Sequence, residues 1–569
     1  MSGKRVATSF LAAAMAVGTL SSAAFAENGT VDPADLNWEK PEQTINISVY
    51  AGEGDQEEFL ADENGGKAVM DEWLLENLNV TFDWQYMTGD MTERLNLMLA
   101  DNSYPSVITN MPDDMAEKFI AQGKAVDLTE YLDDMPNLTR RMGDYINMLK
   151  DDEGHIYKLS TLWGENPNVA GLDFGVRWDY YLELGEEKMY ETPQEYIEVM
   201  KKILANHPTN DAGQTTYAFT SDNQGKSFLN AMLGAYGFIN GYKLNEETGE
   251  FTHWLNTDEG LEIAKLVNQM YREGLIDPDY QSVDYETYIS KLANGQVLGN
   301  FGTWWYAWVG GHQTWAVQEG DDYDKNKRFA NVSVHGEGMS MEDTSLLTSN
   351  YVGSYRMIIT DKATEEEIQG IVKYLNWEAS ELGTFIMGFG APREENVWKI
   401  DDDGTWLFDD EIMNVDTKDT TYHTVKNHYA CEYWVAICGQ WLKSDGRSVF
   451  DKIDPRVDRV SIYDYWPVNE DGSFADEGIN ICWGNYTAPA KDTTMYQTTF
   501  NSRDTIATIK QMVDDTITSS WAEIINSASE EDCIAAFEAA RDNCNAMGLE
   551  ELTDYYENSY KANVEKYEG

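Results

Sequence analysis

Basic residues, histidine and cysteine are all scarce in this chain. Its 569 residues hold 41 lysines and arginines against 100 acids, with 7 histidines and 5 cysteines. The formal net charge of −59 excludes nucleic acid as a partner, because a phosphate backbone would be repelled instead of shedding counterions onto the protein. Anionic membrane surfaces and strongly acidic ligands are disfavoured on the same ground, and a neutral ligand is accepted more easily. The cysteines are Cys431, Cys438, Cys482, Cys533 and Cys544, an odd number that leaves at least one thiol unpaired. Cys533 and Cys544 lie in a helical pattern, ~16 Å apart along its axis, too far to bridge. The cysteine spacings fit no zinc site, and neither a metal nor a cofactor is expected. Motifs for nucleophilic, zinc-peptidase, phosphate-loop or dinucleotide chemistry are missing too. His423 and His428 would point to different faces of a helix.

Long apolar runs are confined to the first residues. Lys4 and Arg5 precede a small, apolar stretch from Val6 to Leu20, and Ala24-Phe25-Ala26 forms an A-x-A cleavage pattern. Residues 1–26 therefore read as an export signal, too short in its apolar part to anchor in a bilayer of ~20-residue span. Leu20-Ser21-Ser22 is followed by Ala23, so the cysteine that a lipid anchor needs is missing and free export, periplasmic or extracellular, is expected. The remaining length allows two to four domains, and 42% hydrophobic residues suffice for large cores.

Alternation of Ile45, Ile47 and Val49 predicts a strand over 45–50. A Gly-rich acidic loop, Gly52-Glu53-Gly54-Asp55, follows. Helices are predicted over 66–77 and from the cap Asp90 through 100, with strands over 80–86 and 106–109. The pattern returns as strand 169–176, helices 192–206, 257–273 and 285–294, and strand 296–300. Strand 351–360 and helix 364–380, capped by Thr364, follow. Residues 501–561 are almost wholly helical, whereas 390–500 is aromatic and irregular and is left unassigned. Strands alternating with helices imply α/β units with parallel sheets.

Several runs carry a resemblance. Thr92-Glu93-Arg94-Leu95-Asn96-Leu97-Met98-Leu99-Ala100, followed by Tyr104-Pro105-Ser106-Val107-Ile108, resembles the extracellular solute-binding proteins of ABC transporters, family 1, large oligosaccharide-binding type. The runs Ala121–Thr129 and Met135–Leu138 are similar to that family's next segments. So is Arg177-Trp178-Asp179-Tyr180-Tyr181, and so is Tyr271-Arg272-Glu273-Gly274-Leu275-Ile276-Asp277-Pro278. The resemblance covers nearly all of the chain after residue 26. It implies a two-lobed, periplasmic-binding-protein-like (type II) α/β fold with a hinge, an interlobe cleft and a helical C-terminus. Lobe 1 is expected over 27–165 plus 346–395, and lobe 2 over 166–345 plus 396–569. Hinge crossings are expected near 159–171, 332–351 and 389–398. Some members of the wider family type carry an Asp-x-Asn-x-Asn-Gly calcium loop. The matching stretch here, His207 to Gly213, has lost most of its acids.

The resemblance further implies a monomer that captures a neutral oligosaccharide by hinge closure and serves ABC permease subunits, with no catalytic residues. An oligopeptide ligand, or a secreted glycoside hydrolase, are the alternatives. The 18 tryptophans and 33 tyrosines favour sugar, whose apolar C–H faces stack on flat rings. The densest cluster is Phe301 to Trp308, after a strand, where α/β ligands bind. Trp304 and Trp305 are the stacking candidates and Trp308 reads as core. Trp163 falls at the first crossing. Asp55 and Asn110 each follow a strand, Arg177 opens a helix and either holds a ligand or pairs with one of the many acids, and Trp441 and Trp483 lie in the unassigned stretch.

Overall fold

The computed structural model describes residues 37–51, 66–86, 90–161, 172–185, 188–302, 304–319, 323–324, 326–353, 355–380, 382–383, 386–387, 398–400, 406–408, 488–500 and 504–569. Asp55, Trp163, Trp441 and Trp483, together with the expected third crossing, lie outside the described residues, apart from Trp398 itself.

The fold is mixed α/β, built on two principal sheets. In the first, β1 (Ile45–Ala51) is flanked by β2 (Val80–Tyr86) and β3 (Val107–Pro112), both parallel to it. The helices between them are Gly66–Asn77 and Met91–Asp101. Asp90 caps the second as expected, accepting the Glu93 amide at 2.7 Å. Two strands complete the sheet on its other side, β4 (Leu159–Thr161) at the edge and, between it and β3, a late strand from Tyr355 to Ile359. That late strand is antiparallel to both. Buried side chains fill both faces. Tyr50, Leu95, Ile108 and Phe119 lie on one, and Val49, Leu74, Val107 and Trp377 on the other.

The second sheet centres on β5 (Asp173–Arg177). The hairpin β6 (Tyr242–Asn245) and β7 (Glu250–His253) stands apart from it. β8 (Gly299–Gly302) and β9 (Phe329–Ala330) both run antiparallel to β5. The parallel sheet expected from alternation thus holds for β1–β3 but fails here. The chain enters each sheet from the opposite lobe, so the entering strand runs against its neighbours. The second core joins helices Pro193–Asn206, Lys226–Ala235 and Asp258–Arg272 to the C-terminal helices Thr505–Asn526, Glu530–Ala546 and Leu549–Glu568. Asn268 locks this union. Its buried amide donates to the carbonyls of Ile524, Ile525 and Ser527 at 3.3, 3.1 and 2.8 Å, where a helix end leaves acceptors unpaired. Cys533 and Cys544 are free, with no bridge between them as their spacing required, and both are buried.

Two passages join the lobes, and of the first only its flanks, Thr161 and Leu172, are described. Chain leaves β4 at Thr161 and re-emerges at Leu172. It returns through β10 (Leu347–Ser349) into β11, the strand Tyr355–Ile359 already placed beside β3. The Leu172 amide donates to the Leu346 carbonyl at 3.2 Å, so the two passages meet the second lobe side by side. A hairpin of β12 (Trp398–Ile400) and β13 (Trp406–Phe408) follows, and β14 (Ala490–Asp492) pairs with β10 in parallel. The helix Glu365–Glu378 opens with the reciprocal Thr364–Glu367 capping box.

Candidate functional site

Strand direction decides which sheet ends confront each other. In lobe 1, β3 ends at Pro112, which pairs with Tyr355, and Tyr355 also pairs with Thr161. The carboxyl ends of β1, β3 and β4 and the start of β11 therefore share one edge, the edge where both passages leave. In lobe 2, Asp173 at the start of β5 pairs with Gly302 at the end of β8. The segment 216–221 runs parallel to β8, through the Tyr217–Val297 bridge, and ends on the same edge. Both passages between the lobes thus depart from or arrive at these carboxyl edges, the place where α/β proteins bind ligands.

Asn110 lies on the lobe 1 edge. It adopts φ 50°, a left-handed conformation unusual for a residue with a side chain, and is half-buried. Its side chain makes no hydrogen bond to the described residues. On the lobe 2 edge, Trp304 and Trp305 open a four-residue helix, Trp304–Ala307, directly after β8. A six-residue π-turn, Trp308–Gln313, and the helix Thr314–Glu319 follow.

Of the two roles open to Arg177, the structure shows the pairing with an acid. Arg177 ends β5, roughly 13 Å along the strand from Asp173 at ~3.3 Å per residue, and so at the far end of the sheet from Trp304. Its side chain is buried, its Nε donates to Asp179 Oδ1 at 2.9 Å, and it lies 4.2 and 4.5 Å from the ring centres of Tyr180 and Trp315. Burial opposes its charge, but Asp179 outweighs this and raises its affinity for the proton. It is a structural residue, and strand pairing was the information that sequence reading lacked.

Sequence reading also missed the charged groups beside the second passage. Asp113 opens the helix Asp113–Ala121 just past β3. It accepts Lys158 Nζ at 2.6 Å and Arg356 Nε at 2.5 Å. Burial pushes its carboxyl up, but these two cations win and hold it below the ordinary range. A cavity of about 490 Å³ lies here, lined by Asp113, Lys158 and Arg356 from lobe 1 and by Phe500, Asn563 and Lys566 from the C-terminal part. Lys566 is held less basic than usual by burial and by Lys158.

The stretch matching the family's calcium loop does not fit a metal. Asn210 Oδ1 accepts the Ala212 and Gln214 amides at 3.1 and 2.9 Å. Its Nδ2 donates to Gln214 Oε1 at 2.9 Å and to the Asn294 carbonyl at 2.7 Å. An amide therefore holds the loop where oxygen donors would converge on a cation. Among the described residues, no group of three or more His, Cys, Asp or Glu side chains is arranged to hold a metal. No described helix is long and apolar enough to cross a membrane.

No family model matches the chain. A curated relative, the fructooligosaccharide ABC transporter substrate-binding protein FusA of Streptococcus pneumoniae, is 24% identical over 246 residues. That segment spans 41% of this chain and 45% of FusA. The structure of FusA in complex with kestose superposes with a TM-score of 0.59 at 16% identity, covering 91% of this chain and 99% of that one. An HMO-binding solute-binding protein from Bifidobacterium longum infantis gives 0.61 at 16% identity, covering 91% and 99%. The alginate-binding protein AlgQ2, solved without calcium ion, gives 0.56 at 15% identity, covering 92% and 99%. These relatives are binding proteins, not enzymes. The chain has the two-lobed fold of extracellular solute-binding proteins, with a helical C-terminus, and is similar to the oligosaccharide-binding substrate-binding proteins of ABC transporters.

Proposed function

We propose that this chain is an exported substrate-binding protein that captures a neutral oligosaccharide between its lobes and delivers it, unaltered, to the permease of an ABC importer. The reading is supported by the strand pairings, which put Asn110 near the carboxyl edge of the first sheet and the Trp304–Trp305 turn after the carboxyl edge of the second, the edges from which the connections between the lobes depart. Ligand contacts to both edges stabilise the closed arrangement, so binding shifts an open–closed equilibrium that a permease can read. Residues 1–26 act as the export signal, release is free of lipid, and the working form is a monomer. The lobes are 27–165 plus 346–395 and 166–345 plus 396–569. Asp55, Trp163, Trp441 and Trp483 remain proposed members of the site. The net charge of −59 suits an uncharged ligand.

The test is a thermal-shift and calorimetry panel of neutral oligosaccharides (kestose, maltohexaose, cellohexaose and xylohexaose), with product analysis after long incubation. A ligand selective for the native state raises the melting temperature. Saturable binding without products is expected. Cleaved products, or shifts with oligopeptides alone, would overturn the proposal.

A further inference from the structure

We propose that Asp222, positioned by Tyr306, is a hydroxyl acceptor in the sugar site, its carboxylate receiving hydrogens from the hydroxyls of one neutral sugar unit. This rests on the oligosaccharide reading and adds to it a specific group on the lobe 2 edge.

Asp222 follows the segment 216–221, which ends beside Gly302. It is half-buried. Its Oδ2 accepts the Tyr306 hydroxyl at 2.8 Å, and its other carboxylate oxygen has no partner among the described residues. No described cation pairs with it. Two other acids of the chain differ, buried Asp277 and half-buried Asp113 of the first lobe. Asp277 is bound by Lys291 and Thr220, and Asp113 by two cations. A half-buried carboxylate with one open oxygen, at a ligand-binding edge, is placed to take hydroxyl donors.

The acid is also preorganised. Its backbone carbonyl accepts the Gly225 amide at 3.1 Å and the Ser221 hydroxyl at 2.9 Å. Gln224, inside that turn, is held at φ 62°. Trp521 fixes the turn from below, donating to the Gly225 carbonyl at 2.9 Å. Tyr306 is held edge-on by Tyr285 and Tyr288, with ring centres 5.0 and 5.2 Å away. Tyr306 belongs to the same four-residue helix as Trp304 and Trp305, so the acceptor and the stacking candidates are set by one element. Groups already fixed lose little freedom when ligand arrives, which favours affinity.

The experiment is calorimetry of the full chain and its variants against the panel named above. Asp222→Asn keeps the shape and one acceptor oxygen but loses the charge. It should bind about 10- to 100-fold more weakly, the loss expected for a charged hydrogen bond, with an unchanged ligand-free melting temperature. Tyr306→Phe keeps the ring packing and frees the acid, and a smaller loss of about 3- to 10-fold is expected. Glu538→Gln, on an exposed face of the helix Glu530–Ala546, should bind as the parent does. If the parent binds a sugar and Asp222→Asn binds it equally well, this inference is wrong while the oligosaccharide reading stands. If the parent binds none of the panel, both fall. Should Asp222→Asn not fold, Tyr306→Phe decides alone, unchanged affinity counting against the inference.

Discussion

Arg356 offers the sharpest test of how the second passage is held. It is the second residue of β11, and its side chain is 10% exposed. Its Nε donates to Asp113 Oδ1, and one terminal nitrogen donates to the carbonyls of Val352, Gly353 and Tyr355 at 3.2, 3.0 and 2.9 Å. The guanidinium therefore clamps the incoming turn onto the helix Asp113–Ala121. Arg356→Met removes one charged bond and strips a donor from three carbonyls, while Asp113 keeps Lys158. A charged bond contributes ~1.5–3 kcal/mol, and carbonyls that rehydrate imperfectly add to the loss, so about 3–5 kcal/mol is expected. For a cooperative unit of lobe size, that lowers the melting temperature by about 10 °C. Arg356→Lys keeps the charge near Asp113 but not the fork, and should lose about half as much. The effect has a pH signature. Asp113 is held below its ordinary range, so its contribution is complete above the unfolded pKa and disappears as pH falls through the lower folded one. The Arg356→Met deficit should therefore shrink in acid. Melting of Arg356→Met within roughly 2 °C of the parent at neutral pH would refute the clamp.

Three further outcomes are expected. His253 is buried and its imidazole is pushed down to about 3 by that burial, with Nδ1 accepting the Leu255 amide at 3.3 Å. It folds neutral and gains its proton only on unfolding, so stability should fall as pH drops below 6.5, by about 2–3 kcal/mol at pH 4.5, and less steeply in His253→Asn, measured by urea titration. Chelator should leave the melting temperature unchanged, whereas Asn210→Ala, which frees four hydrogen bonds, should cost about 1–3 kcal/mol in the same assay. Gly237 has φ 80°, and a Cβ there would lie 2.2 Å from the Asp343 carbonyl oxygen, so Gly237→Ala should lose at least about 2 kcal/mol or fail to accumulate on expression.

Local order was largely legible in the residues. The alternation at Ile45, Ile47 and Val49, the caps Asp90 and Thr364, and the helical C-terminus all reappear in the structure. Boundaries drifted by a few residues, as with β5, which begins at Asp173 and not near Val169. What eluded the sequence was pairing direction. Arg177 and Trp304 each adjoin a strand, and only the antiparallel register of β5 and β8 places them at opposite ends. Long-range polar partners were equally hidden. Asp222 and Tyr306 stand 84 positions apart, and Asp113 and Arg356 stand 243 apart, so no local pattern links them.

The final helix has a mechanical consequence. Tyr567 near its end packs on Tyr145, which stacks on Tyr351, with ring centres 4.9 and 5.0 Å apart, while Asn147 Nδ2 holds the Tyr567 carbonyl at 3.1 Å. Farther back, Tyr556 packs on Tyr242 of the β6–β7 hairpin. This helix is thus riveted at both ends to different bodies. If the lobes swing as proposed, travel should be smallest near the tyrosine trio, where this helix is tied to the first lobe, and largest at the far lip of the cleft. A pair of fluorescent labels should report most motion when one sits near Trp304 and least when both flank the C-terminus.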